Sequence, residues 1–174
     1  MAQQGMAQQA NTGRVALGGA GAQAGIAPEI AVRLVGALLA LAVAAVHVTD
    51  QGSLTALNSP AWIGWSYRLI EVGGVLTALT LLLTGPARLG RPWCGWAAGV
   101  LLGAGPFLAY VASRTVGLPG DPGDVGNWGY WVGTVSLFVE AALVVLSAGM
   151  LLGLRRHPSS AVMSGPGAAR RNLS

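Results

Sequence analysis

Four apolar blocks, each about 20 residues long, follow one another along this 174-residue chain. They cover about 30–48, 62–84, 93–112 and 130–154. A helix rises 1.5 Å per residue, so about 20 residues cross the roughly 30 Å hydrocarbon layer of a bilayer. Only 9% of the residues are charged, against about 25% in ordinary globular domains. The sequence therefore predicts an all-α fold, a four-helix transmembrane bundle over 29–155, with the lipid bilayer as its partner.

The two ends of the chain have a different composition from the apolar blocks. Residues 1–28 are rich in Ala, Gly and Gln, and residues 156–174 are rich in Ser, Gly and Ala. Neither stretch has a period that would build a packed face, so both are predicted to be disordered cytoplasmic tails. The first block is the weakest, and its centre at 34–46 contains a small-residue triplet at 42–44. A cleaved signal peptide is therefore an alternative to a first span.

The arginines predict the orientation of the bundle. All ten basic residues are Arg, a bias typical of GC-rich bacteria, and the net charge of +4 does not indicate nucleic-acid binding. Arg114 alone falls with Asp50, Asp121 and Asp124 on one side of the predicted spans. Eight arginines fall on the other side: Arg14, Arg33, Arg88, Arg91, Arg155, Arg156, Arg170 and Arg171. The positive-inside rule then predicts a multi-pass protein of the bacterial plasma membrane with both termini cytoplasmic.

The positions of the tryptophans agree with the predicted spans. The six tryptophans form three pairs, each at the entry of a predicted span: Trp62 and Trp65, Trp93 and Trp96, Trp128 and Trp131. Amphipathic rings prefer the interface between lipid and water, so all six are predicted to be interfacial anchors.

Two glutamates lie in the middle of predicted spans. Glu71 and Glu140 each follow an outer tryptophan by nine residues, a depth of about 13 Å. A carboxylate at that depth costs roughly 2.5 to 3.5 kcal/mol. Arg68 precedes Glu71 by three residues and is placed to pair with it. Either the pair only stabilises the bundle, or the glutamates belong to a polar cavity that binds a cation or relays protons.

The polar residues of the outer half define a candidate pocket. We expect His47, Asp50, Arg68, Glu71, Arg114 and Glu140 to converge there. Glu140 has no basic neighbour within one turn of its own helix, so it must borrow Arg68, Arg114 or His47 from another span, coordinate a cation or stay protonated. The favoured hypothesis is a shared cluster with Arg68 or Arg114.

Two patterns concern helix packing. Gly95, Gly99 and Gly103 recur every four residues, which predicts a smooth face where a second helix approaches closely. The segment 62–64 also resembles 131–133, and Glu71 then aligns with Glu140. This weak match raises the alternative that the bundle consists of two tandem helical hairpins.

No motif points to catalysis, and we expect a protein that is not an enzyme. The single Cys94 excludes an internal disulfide, a CxxC pair and a multi-cysteine zinc site. Asp121, Asp124 and Asn127 share a loop, but they lack the alternate ligand order and the closing glutamate of a calcium-binding hand. That loop is predicted to be a tight turn, with calcium binding as the lesser alternative. No metal and no cofactor are predicted.

One stretch resembles a known group of proteins. It contains Ser113-Arg114-Thr115-Val116-Gly117-Leu118-Pro119-Gly120, then Asp124-Val125-Gly126-Asn127-Trp128, then Ser136-Leu137-Phe138-Val139-Glu140. This pattern is similar to small four-span membrane proteins of GC-rich bacteria. The resemblance implies the four-span architecture and brings no activity, cofactor or substrate.

For function, the sequence favours a non-enzymatic accessory or binding module with an outward-facing polar pocket. The alternative is a small proton- or cation-coupled transporter that uses the mid-membrane glutamates. Another membrane subunit, or a second copy of the chain, is a candidate partner.

The orientation has a direct test. A reporter fused after Ser174 should give a cytoplasmic signal, and one inserted near Gly52 should give an external signal, because the arginines hold the opposite side in the cytoplasm. An external signal from Ser174 would contradict the model. A mature N-terminus after Ala44 would show that the first block is a signal peptide.

Overall fold

The computed structural model describes residues 28–84, 91 and 93–156, without the side chains of the last two. Within this part of the chain there are four helices: α1 (Pro28–Gln51), α2 (Ala61–Leu83), α3 (Trp93–Thr115) and α4 (Trp131–Arg156). The described residues contain no β-strand. The predicted all-α bundle is confirmed, whereas the tails predicted to be disordered lie outside the described residues.

Each of the four helices is long and apolar enough to cross a membrane. Their outward faces carry large apolar side chains such as Leu69, Leu101 and Phe138, all of them exposed. In a soluble protein this much exposed apolar surface would be a liability, whereas lipid accommodates it. The fold is therefore that of a multi-pass membrane protein, and its orientation stays a prediction.

Two helices extend further than their apolar blocks. Helix α1 continues from 48 to Gln51, and α3 continues from 112 to Thr115. Gly117, two residues after the end of α3, has a φ of +79° that suits glycine, and its N–H and that of Val116 both donate to the Ala112 carbonyl. These extra turns place Asp50 and Arg114 on helices, so both are held in fixed directions.

Small residues bring α1 and α2 together. A Cβ added to Gly74 of α2 would lie 2.7 Å from the carbonyl oxygen of Ala40 and 2.8 Å from the Cβ of Ala44. Only a residue without a side chain fits at that distance. The backbones of α1 and α2 are therefore in close contact midway along the bundle.

The three glycines predicted to form a packing face, Gly95, Gly99 and Gly103, all lie against neighbouring helices. A Cβ at Gly95 would lie 2.9 Å from Leu81 of α2, and one at Gly103 would lie 2.7 Å from the Glu140 carbonyl oxygen of α4. A Cβ at Gly99 would collide with the hydroxyl of Ser147. Close α1–α2 and α3–α4 pairs are what tandem hairpins would contain, but a duplication stays a prediction.

Trp96 differs from its predicted role. Five tryptophans are exposed, whereas Trp96 is 0% exposed and belongs to the core with Leu81 and Leu143. Its ring fills the space that Gly36 of α1 leaves open, since a Cβ there would lie 2.9 Å from the ring. The interfacial interpretation is wrong for Trp96, because a slot in the bundle takes the ring away from lipid.

Arg33 is buried and caps a neighbouring helix. Its guanidinium donates to the carbonyl of Leu81 at 3.2 Å and to that of Thr84, both at the C-terminal end of α2. It also pairs with Glu29 at 3.0 Å and lies 5.8 Å from the centre of the Trp96 ring. Carbonyls at a helix end have no partner within the helix and attract a cation. Arg33 therefore fastens α1 to α2, in addition to its predicted part in topology.

The α3–α4 contact predicts a matched pair of variants. Gly99→Leu should lower the melting temperature of the detergent-solubilised protein, because overpacking costs about 1 to 3 kcal/mol. Gly105→Leu is the control, since nothing lies within 4 Å of a Cβ at that exposed position. Equal melting temperatures for the two variants would contradict the close packing.

Candidate functional site

Two connections meet at one end of the bundle, which we call the loop end. It carries residues 52–60, between α1 and α2, and 116–130, between α3 and α4. The indole N–H of Trp62 donates to the Pro119 carbonyl at 3.1 Å, so the two connections are held together. A short 3-10 turn, Pro122–Asp124, lies in the second connection.

A cavity of about 480 Å³ opens at the loop end, between all four helices. Of the six predicted pocket residues, four line it: His47, Asp50, Arg114 and Glu140. Arg68 and Glu71 do not, because Arg68 binds the α1–α2 connection and Glu71 binds Arg68 and Gln51. The structure thus brings together the predicted pocket residues of α1, α3 and α4 and separates the two predicted on α2.

Asp50 joins three helices. One carboxylate oxygen accepts a hydrogen bond from the phenol of Tyr67 on α2, and the other accepts one from Tyr130, just before α4, at 2.5 Å. The bond to Asp50, together with partial burial, raises the pKa of Tyr130 to about 12. Tyr130 therefore stays protonated at neutral pH and remains a donor to Asp50.

Arg114 is enclosed at the mouth of the cavity. It forms an ion pair with Asp124 of the second connection, and only 5% of it is exposed. Its guanidinium lies 4.5 Å from the ring centre of Tyr110 and 6.0 Å from that of Tyr130. Guanidinium groups favour the faces of aromatic rings. The charge of Arg114 is thus balanced before any ligand enters.

Glu140 lies at the deep end of the cavity, with 1% exposure. The hydroxyl of Ser136 donates to its Oε1, and Nε2 of His47 lies 3.8 Å from the same oxygen. The favoured cluster with Arg68 or Arg114 is not formed, because those arginines pair with Glu71 and Asp124. The basic partner of Glu140 is His47, which the sequence had placed among the alternatives.

A backbone carbonyl fixes the position of one proton on the His47 ring. Nδ1 of His47 lies 2.9 Å from the Val43 carbonyl oxygen, and since a carbonyl only accepts, Nδ1 carries a hydrogen. Nε2 faces Oε1 of Glu140 at 3.8 Å, which is longer than a hydrogen bond, so the two groups form an ion pair only when His47 is protonated. The Oε2 oxygen of Glu140 has no hydrogen-bond partner within the described part of the chain.

Arg68 and Glu71 form a separate cluster beside the cavity. Arg68 pairs with Glu71 as its spacing predicts, and it also donates to the carbonyls of Ser53, at 3.1 Å, and Ala56. Gln51 reaches Glu71 from α1 at 3.4 Å. These contacts fasten the first connection to α2, which gives the pair a structural role.

Sequence reasoning missed the tyrosines. All three tyrosines of the chain, Tyr67, Tyr110 and Tyr130, line the cavity. A Cβ at Gly133 of α4 would collide with the Tyr110 ring, so that glycine makes room for it. The position of each tyrosine could have indicated this, since each lies near the loop end, in a different span or just before one. That pattern also suits interfacial anchoring, and only the rotation of each helix separates the two.

The predicted calcium alternative finds little support in the geometry. Asp121 and Asp124 line the cavity with Asn127, but Asp124 is engaged by Arg114. Over the described ranges, no three side chains of His, Cys, Asp or Glu are grouped to hold one metal ion. Cys94 is a free thiol at the opposite end of α3.

Comparison with known proteins adds no family to this picture. A scan against protein-family models and searches of curated proteins and solved structures find no match. Function has to be argued from the cavity and the residues around it.

Removing the charge of Arg68 and removing the charge of Glu71 should destabilise the protein to different extents. Arg68→Met should destabilise the protein by about 3 to 5 kcal/mol, since it leaves Glu71 buried without its cation. Glu71→Gln should cost less, because Arg68 keeps its two carbonyl acceptors. Adding Glu71→Gln to Arg68→Met should restore part of the loss. Thermal unfolding in detergent measures all three variants, and a double variant no more stable than Arg68→Met would contradict the pairing.

Proposed function

We propose that this chain is a non-enzymatic membrane module that binds a small polar ligand in the cavity at its loop end. The module acts alone or as the accessory subunit of a larger complex. The observation that carries the proposal is the cavity itself. At about 480 Å³ it falls in the range of small-molecule sites, about 300 to 1,000 Å³.

The cost of the cavity supports a functional interpretation. Buried ionisable groups within a membrane domain are expensive, and an unfilled space forfeits packing contacts. A bundle selected for stability alone would fill this space with apolar side chains. Here His47, Asp50, Tyr67, Arg114 and Glu140 converge on it from all four helices.

The lining chemistry supports binding rather than catalysis. An activated nucleophile needs a serine or cysteine hydrogen-bonded to a base. Four serines line the described part of the cavity: Ser59, Ser66, Ser113 and Ser136. Ser66 and Ser113 donate to backbone carbonyls, and Ser136 donates to Glu140. None of the four is hydrogen-bonded to His47, whose Nδ1 contacts the Val43 carbonyl. The same groups suit recognition of a polar ligand by hydrogen bonds.

The proposed location is the bacterial plasma membrane, with both termini in the cytoplasm and the loop end outside. The support is the distribution of arginines, eight against one across the predicted spans. In that orientation the cavity opens away from the cytoplasm.

A cation- or proton-coupled transporter is the second candidate, and one observation favours it. Glu71 is held by Arg68, whereas Glu140 has no arginine partner among the described residues, and its Oε2 has no hydrogen-bond partner there either. A coupling carboxylate has to exchange its proton or cation during each cycle. Glu140 meets that requirement, and Glu71 does not.

Accessibility from the two sides distinguishes these functions. In a Cys94→Ser background, Ser136→Cys places a thiol in the cavity wall of α4. Ser147→Cys is the matched control, because Ser147 is fully buried against Gly99 on the same helix. An external, membrane-impermeant thiol reagent should modify Ser136→Cys at least tenfold faster than Ser147→Cys.

Each outcome of the labelling experiment is informative. Modification of Ser136→Cys from the external side alone supports the binding module. Modification from either side supports a transporter that alternates its access. A folded Ser136→Cys protein that reacts from neither side would overturn the proposed open cavity.

A further inference from the structure

The charge of the cavity identifies the kind of ligand it suits. Four carboxyl groups line it, those of Asp50, Asp121, Asp124 and Glu140, against the single arginine Arg114 and His47. Arg114 is already paired with Asp124. The two hydrogen bonds to Asp50 come from neutral phenols, which stabilise its negative charge without cancelling it. The cavity therefore attracts cations and repels anions.

A second, independent observation lies at the deep end. Glu140 is 1% exposed, and its Oε2 has no hydrogen-bond partner within the described part of the chain. Both contacts of this carboxyl group, from Ser136 and from His47, go to Oε1. A buried acceptor without a hydrogen bond is costly, and a donor supplied by a ligand would remove that cost.

The walls above Glu140 are aromatic. Tyr67 and Tyr110 line the cavity from α2 and α3, and Trp62 lines it near the mouth. Ring faces attract organic cations and pack against their apolar parts. The combination of an acidic floor and aromatic walls suits a ligand that carries a positive charge on an apolar body.

We propose that the cavity binds a small protonated amine, whose N–H donates to Oε2 of Glu140 and whose apolar body lies against Tyr67 and Tyr110. This inference rests on the proposed binding function and names its ligand class. Asp121 at the mouth adds negative charge that steers the cation inward, whereas Asp124 is paired with Arg114. The donor requirement separates this class from quaternary ammonium ions, which have no N–H.

Three probes of similar shape test the charge and the donor separately. Benzylammonium has both, benzyl alcohol lacks the charge, and benzyltrimethylammonium lacks the N–H. The full-length protein in lipid nanodiscs is titrated with each at pH 7 and constant ionic strength, with heat stability as the readout. We expect benzylammonium to bind with a Kd on the order of 1 mM, as befits so small a ligand. The other two should bind at least about tenfold more weakly, as loss of a charge-assisted hydrogen bond implies.

The two buried glutamates provide a matched pair of variants. Glu140→Gln keeps the size of the side chain and removes its charge, so benzylammonium affinity should fall about tenfold or more. Glu71→Gln makes the same change outside the cavity lining and should leave the affinity within about twofold. The ratio between the two variants is the test, since any general effect on the membrane domain appears in both.

A second measurement does not depend on the stability of the Glu140 variant. Benzylammonium should slow thiol labelling of Ser136→Cys, in the Cys94→Ser background, and benzyl alcohol should not. Equal binding of benzyl alcohol, equal binding of benzyltrimethylammonium, or the same stabilisation by sodium chloride alone would each overturn the amine assignment. If Ser136→Cys labels readily but benzylammonium neither binds nor protects it, the ligand class is wrong while the proposed cavity stands. If Ser136→Cys does not label at all, the proposed function itself fails.

Discussion

A membrane interior offers no water to a charged side chain, so each buried charge in this bundle has to be satisfied by another part of the protein. Arg33 is met by the last carbonyls of α2, Arg114 by Asp124, Glu71 by Arg68, and Glu140 by Ser136 and His47. Most of these contacts join different elements. The same interactions that remove the cost of burial therefore also fix how the helices and connections are arranged.

The distribution of small residues explains why a cavity forms at the loop end. Gly74 lets α2 touch α1, while Gly99 and Gly103 let α3 touch α4, so the helices are tightly packed through the middle of the bundle. Gly103 lies against the Glu140 carbonyl, which closes the cavity from below. Toward the loop end, the rings of Tyr67 and Tyr110 stand between the helices. The cavity is the space that these larger side chains and their polar neighbours leave between backbones.

The features that could be predicted from the sequence are those that depend on a single helix. Hydropathy predicted the four helices, and a spacing of three predicted the contact between Arg68 and Glu71. The burial of Trp96, the capping by Arg33 and the bonds to Asp50 involve two or three helices. They depend on how far each helix is rotated about its axis, and the low amphipathicity of nearly all-apolar spans leaves that rotation undefined. Glu140 was assigned to the pocket because a carboxylate buried in a membrane is costly. Its contact with His47 could not be predicted, because that contact also depends on how the helices are rotated.

Glu71 and Glu140 have different kinds of partner, and this difference relates the helix arrangement to the proposed function. Glu71 is paired with Arg68 of its own helix, and Gln51 of α1 also reaches it at 3.4 Å. The basic neighbour of Glu140 is instead His47 of α1, 3.8 Å away, and its Oε2 has no hydrogen-bond partner within the described part of the chain. A shift between α1 and α4 therefore changes the contact of Glu140 with His47 and leaves the ion pair of Arg68 and Glu71 in place. Glu140 and His47 both line the cavity, so the proposed amine would contact the carboxyl group that faces α1. Under the proposed function, binding at Oε2 would therefore favour the arrangement of α1 and α4 that leaves this oxygen free for the ligand.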